Sequence, residues 1–430
     1  IKQIHRNAIR LHIWSRKFME DQKKVEVSVF VPVYNHREYI AQTLDSILMQ
    51  KVTFPYEIVI HDDASTDGTT EIIREYEARY PVIIRCMYQT ENQFSQGNLH
   101  PIWNCQLYMC RGKYCAMLEG DDYWSDPDKL QRQYDYMESH PECSLYMHNA
   151  WKLDVQTGSK VLLNTFSQSG YYSQREQVLC GLGSKFPATG SFFFVLEYLR
   201  KDLPEFVIEA GVGDYPIRQI VANKGAVYYD ERPMSVYRYM TRGSFMKSIR
   251  DNMDKYVDYI VKMCVFYQRF SEYLDHKFDD IYSMKIDSDI LGMAAATYDC
   301  REQVEPAWLQ NKLDIFYRML SGGQWIEDVK KLLDRDEAVW IYGTSTLAAI
   351  CKQSLEQGNI PVKGFVVSDG YSKADTFDGY MVRYVSETKG NNDFYVIAAQ
   401  PINQESIERV LHTNGEARYY SPYRLSKEEK

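Results

Sequence analysis

From Val25 to Asn35 the chain reads VEVSVFVPVYN, rich in β-branched residues and almost continuously apolar. Such a run predicts a strand buried on both faces. The period then changes. In HREYIAQTLDSILMQ, residues 36–50, Tyr39, Ile40, Leu44, Ile47 and Leu48 share one side of a helix. The alternation repeats. YEIVIHDD (56–63) predicts a second strand, Thr69 to Tyr80 a helix, VIIRCMYQ (82–89) a third strand, Trp103 to Cys110 a helical run, and YCAMLEG (114–120) a fourth strand. Strands alternating with helices predict a doubly wound α/β sheet. Further on, SFFFVL (191–196) has the length of a buried strand, and His148 lies in YMHNAW, read as a central strand with a structural histidine.

The pattern turns helical from Ile249 to about Asp334, with long side chains and no chemical motif. It then restarts as strand and helix in AVWIYGTSTLAAICKQSLEQG, VKGFVVSD, DFYVIAAQ and QESIERVLHTNG. The expected organisation is a basic amphipathic N-terminal helix over 1–24, an α/β domain over 25–248, a helical linker or packing region over 249–335, and a small Rossmann-like α/β domain over 336–430. WIYGTSTLAAI holds one glycine, Gly343, where a dinucleotide fingerprint wants three, so a scaffold or partner-binding role is expected of that domain.

Composition narrows the picture. The 430 residues are 45% hydrophobic and 25% charged, an ordinary globular balance. A net charge of −9 argues against bulk binding of nucleic acid. The exception is local: Arg6, Arg10, Arg16, Lys17, Lys23 and Lys24 interleave with Ile9, Leu11, Ile13, Trp14 and Phe18. That pattern reads either as a helix packed on the next domain or as a peripheral contact with an anionic membrane. No apolar run approaches the ~20 residues that span a bilayer, and the first ten residues lack the apolar core of a secretory signal. The nine cysteines are scattered without a C-x-x-C pair, as reduced core thiols would be. The expected location is the cytoplasm, at or near the inner face of the membrane.

Open α/β sheets bind ligands beyond the carboxyl ends of their strands. The residues delivered there are Tyr34 and Asn35, Asp62 and Asp63, and Asp121 and Asp122. A lone Asp-Asp pair is a weak signal, since it serves equally as a helix cap. Here VSVFVPVYN, EIVIHDDASTDGT, GKYCAMLEGDDYWSDPDKLQRQ and GDYPIRQIVANKG with VYR stand in order. Together, over Val25 to Ser244, they resemble glycosyltransferase family 2 with its GT-A fold.

The resemblance implies inverting transfer of a sugar from a nucleotide-diphosphate donor, usually a UDP-sugar, to a glycan or lipid-linked saccharide acceptor in bacterial surface polysaccharide synthesis. It implies Mn²⁺ or Mg²⁺, with Asp122 as metal ligand and Asp121 toward the donor's ribose or sugar hydroxyls. Pro32, Tyr34 and Asn35 would line the base pocket, and Asp63 would accept a hydrogen bond from the base. Glu38 reads as a nucleotide neighbour or as a first-turn carboxylate. Asp67 and Gly68 read as turn residues. Asp214 matches the position of the catalytic base, and GDYPI also suits an N-cap. Trp124 is the aromatic candidate for a sugar, or core. Pro187 to Phe194 would approach the acceptor. Many relatives follow YR with a nearby His; here Tyr239 and Met240 stand there, which leaves Arg238 or Arg242 for the diphosphate. The rivals are a nucleotidyltransferase, which wants a basic Gly-rich loop after the first strand, and a non-catalytic nucleotide-sugar or partner-binding protein. A homo-oligomer is compatible with the helical region and the last domain.

Overall fold

A computed structural model describes residues 25–164, 168–179, 187–201, 203–334, 337–371, 373–388, 393–413 and 418–424. The basic segment 1–24 and Cys180 lie outside them. The chain divides into two compact units. One comprises residues up to 177 with 186–204 and 212–243; the other comprises 178–185, 205–211 and 244–430.

The first unit is built on ten strands: β1 (Val27–Val33), β2 (Tyr56–Asp62), β3 (Ile84–Tyr88), β4 (Tyr114–Met117), β5 (Tyr123–Trp124), β6 (Cys143–Asp154), β7 (Lys160–Leu162), β8 (Gly170–Tyr172), β9 (Phe193–Val195) and β10 (Ala226–Tyr239). The sheet runs β3-β2-β1-β4-β9-β6-β10-β5, with β7 beside β6 and β8 beside β10. Strands β3, β2, β1 and β4 are mutually parallel, whereas β9 runs antiparallel to both neighbours. The mixed α/β sheet is therefore the expected architecture. Its core is the predicted apolar set: Val27, Val29, Val31 and Val33 pack with Ile40, Leu44, Ile47, Ile58 and Ile60.

Two details depart from the sequence reading. Helix α1 (Ile40–Leu48) starts late, because residues 37–39 form a turn closed by Tyr39 and Ile40 amides on the His36 carbonyl, at 2.9 and 2.8 Å. The helical run near Trp103 is a short α-helix, His100–Asn104, that passes into a π-helical turn, Cys105–Met109. Elsewhere in this unit a charge is buried inside an apolar-looking strand. Glu57 in β2 is fully buried and receives Ser28 Oγ at 2.7 Å, Arg111 N at 2.7 Å, Arg111 Nε at 2.9 Å and Arg85 Nη1 at 3.2 Å. A buried carboxylate is tolerable only with such saturation.

The second unit combines helices Met253–Tyr273, Asp279–Ala296, Ala307–Leu320 and Gly323–Leu332 with a six-stranded sheet. The helical segment and this sheet are one unit. Gln400 Nε2 donates to the Ser288 carbonyl at 3.0 Å, and the Ile402 amide donates to Ser288 Oγ at 3.0 Å. A Cβ at Gly292 would come within 2.8 Å of Gln400 Nε2 and would push that side chain aside. Among the described residues no helix is long and apolar enough to cross a membrane, and eight cysteines are free thiols.

Candidate active site

The carboxyl ends of β1, β2 and β4 bring their polar residues together in the first unit. After β1, Asn35 adopts φ 56, a left-handed conformation that asparagine tolerates. Its side-chain oxygen accepts from the Thr66 amide at 2.8 Å, and its own amide donates to Ser65 Oγ at 2.9 Å. Asn35 thus ties the β1 and β2 loops to each other. Tyr34 beside it is 36% exposed and offers an aromatic face, Pro32 is half-buried, and Glu38 is exposed. Asp67 is a turn residue: it accepts from the amides of Arg37 (3.1 Å) and Thr69 (3.0 Å).

Asp63 uses both carboxylate oxygens on backbone, accepting from Gln93 N and Phe94 N at 2.9 Å each. It organises the 93–94 loop, and each oxygen keeps a second lone pair for another donor.

The strand β4 ends in Glu119, Gly120, Asp121 and Asp122. Gly120 is required by close approach. A Cβ there would lie 2.6 Å from His36 Nδ1 and 2.9 Å from Val33 Cγ2. The Gly120 and Asp122 carbonyls both accept from Thr43 Oγ1, at 2.9 and 2.7 Å, so α1 sets the turn. Asp122 Oδ1 accepts from the Arg238 amide at 2.7 Å. Asp121 Oδ2 accepts from Thr241 Oγ1 at 2.7 Å and stands 4.0 Å from His36 Nε2.

Asp214 is the first residue of the helix Asp214–Ala222, and Gly213 holds the cap position. Burial raises the Asp214 carboxyl, while hydrogen bonding from the Tyr215 amide and the charge of Arg218 oppose the shift. Glu119 completes the group. Burial first, then the charges of Asp121 and Asp214, push its carboxyl up to about 8. Asp122 is raised by burial, then by Asp121 and Glu119. Glu119 thus feels the charges of Asp121 and Asp214, and Asp122 those of Asp121 and Glu119. Such a cluster persists where a cation or a cationic transition state is to be met.

With this geometry in view, comparison with known proteins is informative. The model of glycosyl transferase family 2 matches residues 28–201. Over those residues the chain is similar to a family 2 glycosyltransferase domain. The match ends before Asp214. An uncharacterized protein of Mycobacterium tuberculosis is 44% identical over 115 residues, 27% of this chain and 32% of that protein. The UDP-Glc:alpha-D-GlcNAc-diphosphoundecaprenol beta-1,3-glucosyltransferase WfaP of Escherichia coli is 30% identical over 161 residues, 37% of this chain and 52% of that protein. The chain therefore spans only a third to a half of these relatives' lengths. Among solved structures, TarS of S. aureus in complex with UDP overlays with a TM-score of 0.44 at 16% identity, covering 72% of this chain and 93% of that one.

Within the first unit two expected residues take other roles. Trp124 is 1% exposed; its indole N–H donates to the Gly190 carbonyl at 2.9 Å, and Lys129 Nζ sits 3.9 Å from its ring centroid. It is core, because a ring with no open face has no surface for a sugar. Arg238 is 6% exposed. Its guanidinium donates to the Asp121 carbonyl and to Gln42 Oε1 and lies between the rings of Tyr39 and Tyr123, at 4.8 and 4.6 Å. It braces the Asp121–Asp122 turn from inside, and Arg242 is the exposed arginine of the two. His148 is buried with Nδ1 2.6 Å from the Asn149 carbonyl, a structural histidine.

Sequence reading missed Glu119, Tyr237 and His36. Tyr237 in β10 is half-buried and feels the charges of Glu119, Asp122, Asp121 and Asp214. Its neighbour Arg238 drew attention instead. Glu119 could have been noticed, since it directly precedes the glycine of the pair. Nothing local marks His36.

Proposed function

We propose that this protein transfers a sugar from a nucleotide-diphosphate donor, a UDP-sugar, to a hydroxyl of a glycan or lipid-linked saccharide, with inversion, in bacterial surface polysaccharide synthesis. The reading is supported by Asp121 and Asp122 after β4, held by Thr241 Oγ1 and the Arg238 amide at 2.7 Å each, with the charge of Asp214 reaching the buried Glu119. The family match over residues 28–201 supports the same class of chemistry. WfaP, a relative over half its own length, is a glucosyltransferase that uses UDP-Glc.

The roles follow from chemistry. Asp214 takes the proton of the acceptor hydroxyl as that oxygen bonds to the anomeric carbon. The bond to the diphosphate breaks, and its electron pair leaves with UDP. A raised pKa suits this transfer, because it makes the carboxylate a stronger proton acceptor. Tyr34, Pro32, Asn35 and Asp63 hold the base and ribose end, with Glu38 at the rim.

Divalent cation chemistry belongs to this reading, and the donor set fits it. Asp121 and the free oxygen of Asp122 are hard ligands suited to Mg²⁺ or Mn²⁺. Among the described residues no cage of three or more ligands is preformed. Asp121 and Asp122 would hold such a cation, with the rest of its ligands left to diphosphate and water, as is common for Mg²⁺. When bound, it neutralises charge on the leaving diphosphate.

The test is calorimetric titration of UDP with and without Mn²⁺, followed by UDP release from UDP-glucose and UDP-N-acetylglucosamine. Metal-dependent UDP binding with turnover that Asp214→Asn removes supports the proposal. Absence of nucleotide binding under every metal condition overturns it.

A further inference from the structure

The sequence lacks a histidine after VYR, and the structure places Met240 there, 4% exposed. A different histidine stands near one of the carboxylates. His36 follows β1 in the short loop before α1, and its Nε2 points at Asp121 Oδ2 across 4.0 Å. That gap is too long for a hydrogen bond. Both side chains are largely enclosed, at 12% and 8% exposure. Two donors bound to one cation at about 2.0–2.1 Å lie about 3 Å apart when adjacent and about 4.2 Å apart when opposite. The observed 4.0 Å is close to the opposite arrangement.

The ring is held there by construction. Gly120 leaves the space that the imidazole occupies, since any Cβ at that position would come within 2.6 Å of Nδ1. Nδ1 itself is buried and has no hydrogen-bond partner among the described residues. The ring therefore spends neither nitrogen on the protein. Asp121 is restrained separately by Thr241 Oγ1, and the turn behind it by Thr43. The pair is thus positioned by elements that do not depend on each other.

We infer that His36 Nε2 and Asp121 together ligate the divalent cation of this site, so that the metal shell includes one imidazole nitrogen contributed by the loop after the first strand. The inference rests on the transferase reading above, which supplies the cation. An imidazole ligand also discriminates among metals. Imidazole is a ligand for first-row transition-metal ions, the series that begins with Mn²⁺, whereas Mg²⁺ takes oxygen ligands. The site accordingly prefers Mn²⁺ to Mg²⁺, and His36→Asn narrows that preference.

The experiment uses the full chain with Mn²⁺, with and without UDP, and reads the bound metal by pulsed electron paramagnetic resonance. Protein labelled with ¹⁵N-histidine is compared with unlabelled protein. The expected result is a directly coordinated histidine nitrogen whose coupling changes with the isotope and disappears in His36→Asn. Mn²⁺ affinity falls at least about tenfold in that variant, the scale seen even for residues that merely support a ligand. Should His36→Asn misfold, His36→Gln carries the same comparison. Bound Mn²⁺ with phosphorus coupling from UDP but no histidine nitrogen overturns the His36 assignment and leaves the transferase reading standing. Failure of the wild type to bind Mn²⁺ with or without UDP overturns the His36 assignment, and absence of UDP binding under every metal condition overturns both.

Discussion

The backbone amide of Arg238 donates a 2.7 Å hydrogen bond to Oδ1 of Asp122, joining β10 to the turn after β4 across 116 residues of chain. Asp122 is therefore a structural anchor as well as a carboxylate of the site. Asp122→Ala leaves the buried Arg238 amide without its acceptor, at a cost of about 1–3 kcal/mol. The expected outcome is a lower denaturation midpoint together with lost Mn²⁺-dependent UDP binding. Asp121→Asn keeps hydrogen-bonding capacity toward Thr241, so it weakens UDP binding with little change in the midpoint. Denaturant melts and calorimetry on both variants separate the two roles.

Asp214 starts its helix without capping it, since Gly213 occupies the cap position. Its replacement should spare the fold. Asp214→Asn is expected to lower sugar transfer by about 10²- to 10⁴-fold with UDP affinity unchanged. Transfer at near wild-type rate in steady-state assays would remove Asp214 from the role of base.

Glu57 carries its charge at the far end of β2 from the site and is saturated by Ser28, Arg111 and Arg85. Glu57→Ala strands two arginines and is expected to cost about 3–5 kcal/mol of stability. UDP affinity measured on the folded fraction should match the wild type. A loss of affinity without a loss of stability contradicts this division.

His148 titrates with the fold. Burial, then the neighbouring Lys129, holds its imidazole down to about 3, whereas an unfolded histidine titrates near ~6.5. Between those values the unfolded chain binds a proton that the native chain does not. Stability is thus fully present above the unfolded value and is lost as pH falls, by about 1.4 kcal/mol per pH unit from this residue. Urea melts from about pH 7 down to about pH 4 should show that slope, and His148→Phe should flatten it.

Much of this molecule is legible along the chain. The run Val25–Asn35 and its parallel partners announce themselves, because strands buried on both faces must be continuously apolar. Asp63, Asp121, Asp122 and Asp214 stand out for a related reason: adjacent or isolated carboxylates at strand ends have no use in a core. Period and polarity are local properties, and they carry this far. The remaining decisions depend on which side chains meet. Trp124 and Arg238 look like ligands in sequence, yet the packing of Gly190, Lys129, Tyr39 and Tyr123 closes around them and turns both inward. Glu57 sits unmarked in an apolar strand because its partners come from residues 28, 85 and 111. His36 gains its place only because residue 120, in the turn after another strand, is a glycine. Sequence alone determined the layers, the strand ends and the carboxylates they present. Burial and the approach of distant segments, which no local pattern encodes, decided which of those residues face the site.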